Sequence, residues 1–300
     1  MLSYLNLLQD VYLNGEGHDD RTGVGTRSVF GRQWGHCLGD GFPLLTTKKM
    51  PFRWVAEELR WFLSGSTNEK DLQKVGVDIW KEWATEEQCA KFGRKEGDLG
   101  PVYGALWREF PIGESRYDDQ RALTVMIGPD GQEHRRIATD QITWLMNELN
   151  TNPKSRRLLV TGWHPFYQSR VALPPCHTVW QVKVHSDDSL SLHLYARSID
   201  AFLGLPFNIA SYALLCSLIA VTSGLTPRDV VISFGDLHIY NSHVDAVKTQ
   251  LARTPCHLPK LTINPRLWGT GIEGLLSWTT DDLILTHYDP LPKISAPVAV

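Results

Sequence analysis

Residues 189–222 read SLSLHLYARSIDAFLGLPFNIASYALLCSLIAVT. Leu190, Leu192 and Leu194 alternate with His193, Tyr195 and Arg197, which is the two-residue period of a strand with one core face and one polar face. From Ile209 to Val221 the pattern changes to a nearly unbroken apolar run. That run falls short of the roughly 20 residues of a membrane span and carries Ser211, Tyr212 and Ser217, so it predicts a helix buried in a core. A strand that hands over to a buried helix puts the chain in the α/β class, and Arg197 ends on the functional side of the sheet.

Upstream, the patterning predicts a helix near 140–150 and strands over 157–163, 178–184 and 189–195, so the second half carries a sheet. Downstream, the parity of FGDLHIYNSH (234–243) sets Asp236, His238 and Tyr240 on one face of an extended segment, where they can meet a single ligand. The first half predicts a helix over 2–13, a turn at DRTGVGT (20–26), a strand around 28–34 and a helix over about 51–63. A polar insertion over 85–97 follows, then a hairpin of 123–127 and 132–136 turning at GPDG.

No internal repeat or flexible linker divides the 300 residues, which predicts one domain over 1–300. With 42% hydrophobic and 21% charged residues, the chain buries a sizeable core and is neither disordered nor fibrous. The net charge of -3, from 30 Lys+Arg against 33 Asp+Glu, supplies no field for duplex DNA, so any phosphate must be held by a local cluster. Five scattered cysteines without a CxxC pair disfavour a disulfide framework or a zinc site and fit a reducing cytoplasm. The first residues lack the features of a signal peptide, and neither a membrane partner nor a metal is expected. A P-loop, a dinucleotide fingerprint and an HExxH are absent, which disfavours ATP, NAD and zinc chemistry.

Several residues carry chemistry. Cys176 in ALPPCHT follows two prolines that restrict the backbone and fix a thiol's direction, although a buried core cysteine fits the same letters. Arg21, Arg156, Arg157 and Arg197, with Ser198, sit at turns or strand ends and together suit an anion clamp, while each alone suits a solvated surface. An arginine near Cys176 favours its thiolate. Helical spacing puts Glu58 between Trp54 and Trp61, where burial raises a carboxyl pKa and suits proton transfer, unless the head reaches water. Asn208 offers an amide that matches the imide edge of uracil or, flipped, the edge of cytosine, and it also suits a helix N-cap. Tyr103 projects from the loop GDLGPVYG, and Ile79, Trp80 and Trp83 make an aromatic wall on which a flat heterocycle can stack, or they are core.

Taken together, PLLTTKK (43–49), ELRWFLSGSTN (58–68), IWKEWA (79–84), GDLGPVYG (97–104), NPKSRRLLV (152–160), LPPCHT (173–178), LYARSIDAFLGLPFNIASYALL (194–215), GDLHIY (235–240) and APVAV (296–300) resemble the thymidylate synthase family, in that family's order and over almost the whole chain. The resemblance implies an α/β (α+β) fold with a large mixed β-sheet flanked by helices, and a homodimer packed sheet to sheet. It implies dUMP and 5,10-methylenetetrahydrofolate as substrates, without a metal. Cys176 would attack C6 of dUMP, and C5 would then take the methylene group. Arg21, Arg197 and Ser198, with Arg156 and Arg157 from the other subunit, would hold the phosphate. Asn208 would read the base, and His238 and Tyr240 would hold the ribose hydroxyl. Asp200 would pair with the pterin, Glu58 would serve proton transfers through water, and Tyr103 would assist loss of the C5 proton. Ile79, Trp80, Leu203, Gly204 and Phe207 are similar to folate contacts, and Val300 ends a tail that closes over the ligands.

Three positions depart from the family's pattern. Leu106 in GALWR and Ala196 in YARS stand where glutamine is usual, and His164 in GWHP stands where asparagine is common. Loss of two amides rearranges ordered water near the base. Two outcomes of the methylene intermediate follow: hydride gives dTMP and dihydrofolate, and water gives 5-hydroxymethyl-dUMP and tetrahydrofolate. Trp80 and APVAV favour the first, and the smaller or apolar side chains leave room for the second. A catalytically silent nucleotide- or RNA-binding relative is the remaining alternative.

Overall fold

The computed structural model describes residues 1–20, 22–115, 122–127 and 133–298. In chain order its first half runs α1 (Leu2–Asn14), β1 (Glu16–His18), β2 (Thr26–Cys37), α2 (Phe52–Ser64), α3 (Lys70–Gln73), α4 (Glu86–Ala90), α5 (Gly104–Arg108), β3 (Phe110–Ser115), β4 (Ala122–Ile127) and β5 (Glu133–Thr139). The second half runs α6 (Gln141–Thr151), β6 (Leu159–Thr161), β7 (His177–Val184), β8 (Ser189–Asp200), α7 (Gly204–Thr222), β9 (Thr226–Tyr240), α8 (Val244–Leu251), β10 (Lys260–Ile263), α9 (Gly271–Ser277) and β11 (Leu283–Thr286).

The main sheet has the order β1-β2-β9-β8-β7-β6. Its pairs are antiparallel except β8 with β9, which run parallel. Parallel neighbours need a long crossover, and α7 supplies it. The core face of β8 is Leu190, Leu192, Leu194 and Ala196, all fully buried, and α7 packs on both β8 and β9. By length and composition α7 would suffice to cross a membrane, but 78% of its apolar window is buried inside the fold, as befits a core helix. The mixed α/β fold expected from the sequence is therefore present, with helices flanking a mixed sheet.

Element ends differ from the sequence reading for local reasons. The strand expected over 157–163 shrinks to β6, because the Leu159 N–H turns back to the Arg157 carbonyl and removes Arg157 from the ladder. β8 runs on to Asp200, whose register partner on β9 is His238. The strands of the expected hairpin are β4 and β5, while its GPDG turn lies outside the described residues. Part of the 85–97 insertion forms α4, capped by the Thr85 hydroxyl.

Two glycines let α2 meet α5. Gly65 ends α2 with φ +76°, and its N–H bonds the Phe62 carbonyl. At Gly104 a Cβ would stand 2.1 Å from the Phe62 oxygen. Gly104→Ala is therefore expected to destabilise the chain by about 2 kcal/mol or more, measured by urea unfolding. This close approach also seats Tyr103, at φ +22°, in a conformation that bulky residues rarely adopt. On the sheet, Phe30 of β2 and Tyr195 of β8 remain 78% and 41% exposed.

Candidate active site

Pro174 and Pro175 lack the N–H groups a ladder needs, so β7 begins only after them, at His177. Cys176 is thereby left on the wall of a cavity of about 910 Å³. Its N–H donates to the Tyr103 hydroxyl at 3.0 Å, and Arg197 Nη2 lies 3.9 Å from its sulfur. Arg197 also donates to the carbonyls of Pro175 (2.9 Å) and Pro174 (2.8 Å), so it ties the loop in place. The arginine expected near the thiol is present, but the thiolate it was expected to favour is not the net result. Burial pushes the Cys176 thiol above its ordinary pKa, and the opposing pull of Arg197 and Tyr103 offsets this only in part.

Glu58 is 6% exposed, and the Trp80 indole N–H donates to its carboxyl at 2.8 Å. Of the two readings open for this residue, the structure takes the buried one. Burial raises its pKa to about 7, against the smaller opposing effect of the Trp80 hydrogen bond, which is the range a proton-transfer group needs near neutrality. Trp61, Phe62, Trp80 and Tyr103 pack their rings around this corner.

Asn208 is not an N-cap. Asp200 accepts from the N–H groups of Phe202 (2.8 Å) and Leu203 (3.1 Å), and the helix begins at Gly204, which carries Asn208 beyond the first turn and onto the cavity wall. Its side chain hydrogen-bonds His177. Burial drives the His177 pKa down to about 4, so the ring is neutral near pH 7. Farther along, Asp236 Oδ1 lies 2.7 Å from His238 Nδ1, which fixes that ring's orientation and leaves Nε2 for a ligand. Asp236, held below the usual carboxylate range chiefly by this hydrogen bond, and Tyr240 share the cavity wall.

The same cavity gathers Ile79, Trp80, Trp83, Ser198, Asp200, Leu203, Gly204 and Phe207. Arg156 and Arg157 are exposed ahead of β6 and lie apart from it in the single chain. Arg21 and Val300 lie outside the described residues. Residues that sequence reasoning gave no role also line it. His177 is one, adjacent to the cysteine in LPPCHT. Lys48 is another: its ammonium donates to the Phe202 carbonyl, lies 3.7 Å from the centre of the Phe202 ring, and has its pKa lowered by burial to about 8. The signal for Lys48 stood in PLLTTKK, whose letters alone did not say which lysine turns inward. Leu106, Ala196 and His164 are not on the wall, so any influence they have passes through what they touch.

Residues 2–300 match the family described as Thymidylate synthase. The chain belongs to the thymidylate synthase family. Membership spans essentially all of the sequence and carries one-carbon transfer to dUMP, with methylenetetrahydrofolate as co-substrate. The cavity suits such a pair of ligands: its wall carries polar side chains, Arg197, Ser198, Asn208 and His238, together with aromatic ones, Trp80, Trp83 and Phe207. Among the described residues no group of three or more His, Cys, Asp or Glu side chains is placed to hold a metal ion.

Proposed function

We propose that this thymidylate synthase family member methylates dUMP reductively, giving dTMP and dihydrofolate, as a cytoplasmic homodimer in which residues 1–300 act as one catalytic domain. The covalent step of this reading is carried by Cys176, aimed into the cavity by two prolines and held between Tyr103 and Arg197, and its hydride outcome is supported by Trp80 on the same wall. Its sulfur adds to C6 of the base. C5 then bonds the methylene carbon of the folate, loses its proton with help from Tyr103, and the folate departs as Glu58 manages protons through water. Hydride from tetrahydrofolate completes the methyl group, and the sulfur leaves.

Arg197 and Ser198, with Arg21, and with Arg156 and Arg157 of the second subunit, hold the phosphate. His238 and Tyr240 hold the ribose hydroxyl, and Asn208 reads the base. Ile79, Trp80, Leu203, Gly204 and Phe207 contact the folate, Asp200 pairs with the pterin, and the tail ending at Val300 covers both ligands. The exposed rings of Phe30 and Tyr195 on the sheet support a sheet-to-sheet dimer.

A second reading has its own observation. Ala196 is the register partner of His177, and His177 Nδ1, Tyr212 Oη and Trp107 Nε1 lack protein hydrogen-bond partners among the described residues. Buried polar atoms are commonly satisfied by ordered water, and water beside the base favours hydration of the methylene intermediate to 5-hydroxymethyl-dUMP. One incubation with dUMP and methylenetetrahydrofolate separates the two. Dihydrofolate absorbance with a dTMP mass supports the proposal, and a product heavier by one oxygen without dihydrofolate overturns it. In the same assay Asn208→Asp is expected to reduce the preference for dUMP over dCMP by roughly tenfold or more, and an unchanged ratio would remove Asn208 from base reading.

A further inference from the structure

His243 lies at the start of α8 and is 0% exposed. Its Nε2 is 2.8 Å from the carbonyl oxygen of Pro297, in the C-terminal segment that lines the cavity, and its Nδ1 is 3.6 Å from Asp200 Oδ1. A carbonyl oxygen only accepts, so Nε2 must carry a hydrogen. A neutral ring protonated there would turn the Nδ1 lone pair toward a carboxylate. Asp200 is that carboxylate: burial pushes its pKa up, but the nearby His243 ring and the Phe202 N–H hold it below the ordinary range. Both contacts are favourable together only when both ring nitrogens are protonated.

The base of the C-terminal segment is fastened separately. The Leu291 N–H donates to the Thr46 carbonyl at 2.8 Å, and Arg253 donates to the Pro292 carbonyl at 2.6 Å. From Lys293 onward, among the described residues, the hydrogen bond that holds the segment is the one from His243. We infer that His243 is a positioning residue that latches the C-terminal segment to Asp200 as an imidazolium, so that docking of the tail is coupled to proton uptake. The inference rests on the roles proposed above for Asp200 and the tail in folate binding.

The groups facing His243 set the sign. From β8, Asp200 favours its charge. From the loop before α2, Lys48 opposes it, and from β9, Tyr240 contributes a ring 5.4 Å away. His238, also on β9, adds its charge near Asp200 when protonated, but its Nδ1 faces Asp236. Burial lowers the His243 pKa, and Asp200 with the Pro297 carbonyl more than restores it, so the net direction is up. The latch requires the docked pKa to be the higher one, with loss of the Pro297 acceptor on undocking outweighing the water that the ring regains. Docking is therefore strongest below the undocked pKa and weakens as pH rises through the docked value.

The test is carboxypeptidase trimming of the intact ligand-free protein from about pH 6 to about pH 9, each rate divided by that of a free peptide of residues 289–300. The normalised rate is expected to rise about threefold or more with pH in the wild type. In His243→Gln, whose amide can reach Pro297 but carries no charge, it should stay flat. A flat wild-type profile, or the same rise in the variant, overturns the latch. Should the variant not fold, nitrogen-15 spectra of the wild-type imidazoles decide: two protonated ring nitrogens at neutral pH support the inference, and a neutral ring refutes it. Neither measurement contains folate or follows turnover, so failure of the latch and failure of the proposed reaction are separable.

Discussion

Cys176→Ala is expected to lower turnover by about 10⁴-fold or more while leaving dUMP binding within a few-fold of wild type. The sulfur supplies the one bond that makes C5 nucleophilic, and nothing else on the cavity wall near Tyr103 and Arg197 replaces it. The phosphate and base contacts proposed for Arg197, Ser198 and Asn208 do not involve the sulfur, so affinity survives. Initial-rate assays and equilibrium dialysis with dUMP check the two halves. A non-catalytic relative would show no turnover in either protein, and retained turnover in the variant would remove the nucleophile from the mechanism. Because burial holds the Cys176 thiol above its ordinary pKa, attack by the wild-type sulfur should also quicken as pH rises toward that value.

Glu58→Gln is expected to lose about 10²- to 10⁴-fold in kcat and, at the same time, to become the more stable protein in mild alkali. The buried carboxyl has its pKa raised from 4.5 to about 7. Ionising it therefore costs the folded state little below the unfolded value and increasingly more as pH climbs to 7, reaching on the order of 3 kcal/mol above that. Glutamine keeps an oxygen for the Trp80 indole and has no charge to bury. Melting curves should nearly coincide at pH 4.5 and separate in favour of the variant at pH 8, because only the ionised carboxyl is costly to bury. Equal separation at both pH values would contradict the buried-carboxyl account.

The elements that positioned this site were legible wherever one residue's pattern reports its own burial. The leucine alternation of 190–194 marked β8, the apolar run 209–221 marked the body of α7, and the spacing of Trp54, Glu58 and Trp61 put a carboxyl among rings. What stayed hidden depended on contacts distant in sequence. Asn208 looked like a cap because the true start of α7 is set by the Asp200 side chain, which turns the chain four residues before Gly204. The net effect at Cys176 required weighing Arg197 against burial, and burial is a property of the whole cavity. His243 and Lys48 lie 43 and 152 residues from Asp200 in the chain, and only the fold brings their charges to it. His243 carries no local pattern that names a role.

The central claim is the covalent one, and a trapped adduct tests it most directly. The protein is mixed with 5-fluoro-dUMP and methylenetetrahydrofolate, denatured, digested and weighed peptide by peptide. The account predicts that the peptide containing Cys176 gains the mass of the nucleotide analogue and the folate, and that the peptides containing the other four cysteines do not. An unmodified Cys176 peptide from a mixture in which the native protein turns over dUMP would contradict it.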